Sequence, residues 1–231
     1  MADGKIQSSL HTPDYEIDLN ELTGIWYRRL RVGDNLGRFM EAQFVSPSLQ
    51  ESNHTLRGAI DSLDVFQLDH YMKHRIAGNK FQQLKLAQKI GMTIPETLMS
   101  NQLKPVKAFY QSNDEDIIVK MQSSFSIYDQ QGEENVVFTN KVDQNLLEDA
   151  DALQLCPMKF QINLTKKREL RITVVSDRLF VAAVDSQKLE TAKYDWRKEG
   201  STLLNDWYQY EIPTKLESQI FQLMDFYQLN Y

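Results

Sequence analysis

The sequence predicts an α+β fold, with mixed and antiparallel sheets flanked by helices. Three observations carry that prediction. Apolar residues recur at helical spacing between Ser48 and Phe66 and again after Asn79. A β-rich middle follows, with apolar, β-branched runs such as Ile117-Ile118-Val119 and Leu179-Phe180-Val181. The final stretch, with Ile220, Leu223, Met224 and Phe226, returns to helical spacing.

Taken in order, the first dozen residues are polar and without period. Ile25-Trp26-Tyr27 leads into a short predicted strand reaching Leu30, which breaks at the loop Gly33-Asp34-Asn35-Leu36-Gly37. Leu49, Leu56, Ile60 and Leu63 fall on one helical face. Asn79-Lys80 opens a second helix, and Gly91 stands where a left-handed cap residue closes one. Thr93 to Leu98 is extended, since a residue before proline avoids the α region. Ile117–Met121 and Val136–Thr139 are predicted to form a hairpin through a turn containing Gly132. Strands are predicted at Met158–Leu164 and Arg171–Val175, the second turning at Asp177-Arg178 into Leu179–Val184. Leu203, Leu204 and Trp207 suggest a helix from Thr202.

Composition narrows the function. The 231 residues suit one large domain or two small ones, and 42% hydrophobic with 25% charged residues is the balance of a globular protein. A net charge of -6 argues against a general nucleic-acid binder, which needs a positive face for phosphates. The longest apolar runs fall far short of the roughly 20 residues of a membrane helix, and the start lacks a secretory signal. With the single Cys156, which cannot form an internal disulfide, this predicts a cytoplasmic protein with no nucleic-acid or membrane partner.

Motif chemistry is sparse. No nucleophile triad, zinc cluster, phosphate loop or dinucleotide fingerprint has usable spacing. His70 and His74 stand four apart but read as a solvated helix face, and Cys156 reads as a small buried hydrophobe before Pro157. Two lysines stand out. Lys80 sits at a helix start, where free N–H groups favour anions, and Lys120 ends an apolar strand ahead of a hydroxyl-rich run. Alternation puts Glu169 and Arg171 on one strand face, facing the cleft of Lys120 or forming a cross-strand ion pair.

The segments Ile117-Ile118-Val119-Lys120-Met121-Gln122-Ser123-Ser124-Phe125, Cys156-Pro157-Met158-Lys159-Phe160-Gln161 and Glu169-Leu170-Arg171-Ile172-Thr173-Val174-Val175 together resemble the microviridin-type ATP-grasp peptide ligases. Trp26-Tyr27-Arg28-Arg29, Asn79-Lys80, Val137-Phe138-Thr139-Asn140 and Tyr194-Asp195-Trp196-Arg197 extend the resemblance over nearly the whole chain. It implies an incomplete ATP-grasp fold: residues 1–75 as a remnant pre-ATP-grasp domain with its linking helix, and 76–231 as the ATP-grasp domain. It also implies an enzyme using ATP to turn a side-chain carboxylate of a ribosomal precursor peptide, with leader and core, into an acyl phosphate that closes an ester or amide ring.

By the same resemblance Lys80 and Lys120 hold the ATP phosphates. Gln161, Ile162, Asn163 and Leu164 form the hinge whose backbone meets adenine, and Arg171 and Arg197 neutralise charge around the transferred phosphoryl group. Ile162 stands where the family carries a glutamate. The family's magnesium ligands are expected beyond Tyr231, so no residue here is assigned to metal, and ring closure by this chain alone is expected to be slow. A homodimer is compatible with the family. The alternative reading is a non-catalytic nucleotide- or peptide-binding remnant, and the downstream coding sequence would separate the two.

Overall fold

A computed structural model describes residues 8–28, 32–33, 36–123, 126–128, 134–148 and 150–231. The expected Gly33–Gly37 loop and Gly132 turn lie partly or wholly outside these residues, as does the Leu30 end of the first expected strand. Contacts divide the chain into two compact units, 1–75 with 229–231, and 76–228. Among the described residues no helix is long and apolar enough to cross a membrane.

In the first unit β1 (Ser9–His11) pairs antiparallel with β2 (Glu16–Asp18). β3 (Gly24–Trp26) pairs parallel with β4 (Phe66–Leu68) across α1 (Ala42–Asp61). α1 begins six residues before the expected Ser48 and carries Pro47 inside it, which leaves the Gln43 carbonyl without a ladder donor. After β4, Asp69 is 1% exposed, and its carboxylate accepts from the backbone N–H groups of Asn230 (2.6 Å) and Tyr231 (3.0 Å). α2 (Tyr71–Ala77) follows. The histidines are not a bare solvated face: His70 Nε2 lies 3.0 Å from Asp61, and His74 Nε2 accepts from the Asp69 N–H at 3.3 Å.

The second unit opens with α3 (Lys80–Lys89), as expected. The Asn79 side chain caps it by accepting from the Gln82 N–H at 3.0 Å, and Gly91 ends it with φ +77°. β5 (Thr97–Ser100) and α4 (Leu103–Ser112) lead into β6 (Ile117–Lys120). The hairpin here differs from expectation. β7 (Ser126–Tyr128) pairs with β8 (Glu134–Val136), and β6 pairs instead with β9 (Asn140–Lys141) and with β10 (Met158–Ile162). β10 lies between β5 and β6 in a four-stranded antiparallel sheet of order β5-β10-β6-β9.

α4, α5 (Gln144–Glu148) and α6 (Ala150–Leu155) cover one face of that sheet. Ile117, Val119 and Phe160 point into a core with Val106, Val142 and Leu147. Strand alternation therefore turns Ile118, Lys120, Lys159 and Gln161 to the opposite face. That face carries the candidate site.

β11 (Glu169–Val175) and β12 (Arg178–Val184) form the expected hairpin, with Ser176 at φ 56° in its turn. The helix expected from Thr202 through Trp207 does not form. Leu203 and Trp207 reach the same small core, with Val184 and Ala192, from a run of turns. β13 (Tyr208–Gln209) then adds to the edge of β12. Four-residue spacing here marks two anchors of a loop. α7 (Thr214–Tyr227) packs on α3, with Gln219 donating to the Ile90 carbonyl at 3.1 Å. Cys156 is exposed rather than buried, because it stands at the bend between α6 and β10, outside the sheet.

Candidate functional site

Two cavities open on the sheet face opposite that core. The first, about 360 Å³, runs from the β10 exit at Gln161 to Leu164 past Ile118 and Lys120 to Glu169 and Arg197. The second, about 420 Å³, is lined by Lys80, Lys120, Gln122, Lys159 and Arg197. Lys120, Thr139 and Arg197 line both, so the two join there.

At the hinge most polar groups are already bonded. Gln161 is buried, and its side chain donates to Thr97 Oγ1 at 2.9 Å. The Ile162 N–H donates to the Glu96 carbonyl at 3.2 Å and the Asn163 N–H to the Asp116 carbonyl at 2.9 Å, while the Asn163 amide holds the Asp116 carboxylate at 3.2 Å. The Leu164 N–H has no partner among the described residues. Of the four residues expected to form the hinge it is therefore the one with an open backbone donor.

Lys120 makes no hydrogen bond or ion pair among the described residues. Its pKa lies below the ordinary lysine value, chiefly because burial disfavours the charge and Lys166 repels it, with Glu169 and Asp195 opposing. The carboxylates nearby are committed. Glu169 accepts from Lys166 Nζ at 2.7 Å and from the buried Ser186 hydroxyl at 3.0 Å. Asp195 holds Arg197 in a two-point pair, Nε to Oδ1 2.8 Å and Nη2 to Oδ2 2.6 Å, and accepts from the Thr139 N–H at 3.1 Å. Burial pushes the Asp195 carboxyl up, but the Arg197 and Thr139 hydrogen bonds prevail and bring it to about 2.

Asp195 is thus a positioning residue that fixes the Arg197 guanidinium in the lining shared by both cavities. A carboxyl depressed on folding contributes stability above its ordinary pKa of 3.8, lost as pH falls towards 2. Asp195→Asn is expected to cost about 1–3 kcal/mol in urea unfolding at neutral pH. The gap to the parent chain should narrow below about pH 4. A constant gap across that range would assign the loss to packing.

Of the expected site residues, the structure brings Lys80, Lys120, Arg197 and the hinge 161–164 to the joined cavities. Arg171 lies elsewhere. It lines a groove of about 820 Å³ with Thr173, Phe180, Tyr208 and Glu217. Glu169, two residues before it, faces the first cavity. Sequence reading missed Lys159, directly opposite Lys120 in the β10–β6 register. Alternation with Gln161 was the available signal. Among the described residues no three His, Cys, Asp or Glu side chains group to hold a metal ion.

Residues 1–75 match the sequence profile of the MvdD pre-ATP grasp domain. Comparison with curated proteins gives no match. Among solved structures, the whole chain aligns with 69% of a RiPP-associated ATP-grasp ligase of Chryseobacterium gregarium, determined with ADP and a leader and core peptide, at 39% identity and TM-score 0.85. It aligns equally with 70% of the macrocyclase MdnC of Microcystis aeruginosa MRC, bound to its precursor peptide MdnA, at 38% identity and TM-score 0.83. The macrocyclase MdnB of that organism matches over 69% of its chain at 26% identity and TM-score 0.72. With joined cavities on an ATP-grasp sheet and these similarities over its full length, the chain belongs to the RiPP-associated ATP-grasp ligases, a family of enzymes.

Proposed function

We propose that the chain holds ATP across the joined cavities, adenine against Leu164 and the phosphates towards Lys80, and serves the activation of a precursor-peptide carboxylate. The observation that carries this reading is the Lys120 ammonium, half-buried and unpaired among the described residues at the junction of the two cavities. An ammonium so placed favours an anion. Residues 1–75 act as the pre-ATP-grasp domain and 76–231 as the nucleotide-binding domain. Magnesium serves as the nucleotide's counter-ion, and this chain works in the cytoplasm on a leader-and-core peptide.

In the proposed step a peptide carboxylate oxygen attacks the γ-phosphorus, the bond to the β–γ bridging oxygen breaks, and ADP leaves. A hydroxyl or amine of the same peptide then attacks the acyl carbon, losing its proton as inorganic phosphate departs, and closes a microviridin-type ester or amide ring. Arg197, held by Asp195, faces the developing negative charge. The groove with Arg171 suits the peptide: Phe180 and Tyr208 offer apolar faces and Arg171 a cation for a carboxylate. Arg171→Glu is expected to weaken precursor binding about tenfold or more and leave ATP affinity unchanged. Equal loss of both ligands would contradict that division of labour.

Hydroxylamine trapping tests the reaction. With ATP, magnesium and a candidate precursor, a hydroxamate on a peptide carboxylate is the expected product. Its absence while both ligands bind would overturn the ligase reading in favour of a binding module.

A further inference from the structure

Lys159 is the buried cation that the proposed reaction leaves without a task. It is 8% exposed on the central strand β10, and register sets it directly across from Lys120. Two ammonium groups opposite each other on adjacent antiparallel strands repel. The surroundings do not relieve them. α3 contributes Lys80 to the lining, and Arg197, also in the lining, has its charge already matched to Asp195. Across the other edge of β10 stands the uncharged Met99. The segment Val137-Phe138-Thr139 adds no charge. Among the described residues no carboxylate pairs with Lys159, and its ammonium makes no hydrogen bond. A protein stabilised only for folding would place an apolar residue here, since an unpaired buried cation is costly.

We propose that Lys159 is a third polyphosphate-binding cation, which completes with Lys80 and Lys120 a cradle for the phosphate chain of a nucleoside triphosphate. This rests on the nucleotide reading of the joined cavities and assigns the polyphosphate end of that site. Burial, then Lys120 and Lys80, bring the Lys159 pKa down to about 8. The empty cradle is therefore partly deprotonated in mildly alkaline solution, and an arriving polyphosphate, which favours the ammonium form, recharges it. Binding is accompanied by proton uptake at Lys159, and affinity falls as pH rises through 8. Lys159 and Lys120 share this behaviour in kind, so substitutions at 159 isolate its part.

The experiment is calorimetric titration of the whole chain with ATP and with inorganic tripolyphosphate at pH 8, in two buffers of different ionisation enthalpy. Lys159→Gln should weaken both ligands about tenfold or more and lower the proton uptake. Because it removes an unpaired buried charge, it should also leave the ligand-free chain as thermally stable as the parent or more so. A misfolded variant would lose stability together with affinity. Lys159→Arg, which stays charged throughout, should retain affinity while losing the same increment of proton uptake.

Unchanged affinity and proton uptake in Lys159→Gln, with the parent binding ATP normally, would overturn the cradle and leave the nucleotide reading intact. Tripolyphosphate binding that depends on Lys159, in a chain that ignores ATP, would uphold the cation site and overturn the adenine assignment. A parent chain that binds neither ligand would overturn both.

Discussion

Lys120→Ala is expected to weaken ATP binding by about one to two decades, the loss that follows from removing a charge-assisted contact of about 1.5–3 kcal/mol. Ile117 and Val119 are fixed in the core beneath α4, so the backbone of Lys120 is fixed with them, and strand alternation sends its side chain to the open face. A cation on such a support needs no reordering when its ligand arrives. Lys80→Ala should cost less. Lys80 occupies the first turn of α3, and its ammonium already has a weak partner in Gln83 Oε1 at 3.4 Å. Calorimetry on the two variants tests the order. An ATP affinity equal to that of the parent in Lys120→Ala would refute it.

Phe160→Ala should cost about 3–5 kcal/mol, a large share of the stability of a domain of this size. Phe160 is fully buried at the centre of β10, hydrogen-bonded on both sides, to β5 and β6, and packed with Val106, Val119 and Leu147. Strands held from both sides cannot collapse into the space, so the cavity remains. Its neighbours Lys159 and Gln161 turn to the ligand face, so loosening β10 should also lower ATP affinity. Urea unfolding followed by circular dichroism measures the loss. A change under about 1 kcal/mol would mean that the sheet core can repack.

Local signals in the sequence translated directly into structure. Asn79 caps α3 and Gly91 ends it because side-chain capping and positive φ are decided within a few residues. The β11–β12 hairpin closes through two residues, so its register follows from proximity. What the sequence hid was long-range pairing. The apolar run at β6 has a β-prone run soon after it, yet its main partner, β10, begins nearly forty residues later, and periodicity alone cannot choose between them. The same gap concealed Lys159: as an isolated residue it is one lysine on a strand, and only the β10–β6 register sets it against Lys120. Leu203 and Trp207 misled for a related reason, since a loop that drops two anchors into a core can imitate one helical turn. Arg171 and Glu169 alternate as read, but they open into different depressions.

In the proposed arrangement the face of the sheet bearing Lys120 binds ATP with its phosphates towards Lys80 and its base at Leu164. Competition measures this most directly: titration of ATP into the chain at pH 7, alone and in the presence of inorganic tripolyphosphate or adenosine. Saturable ATP binding that tripolyphosphate displaces strongly, that adenosine displaces weakly, and that drops tenfold or more in Lys120→Ala is the predicted result. ATP binding indifferent to tripolyphosphate and to Lys120→Ala would contradict it.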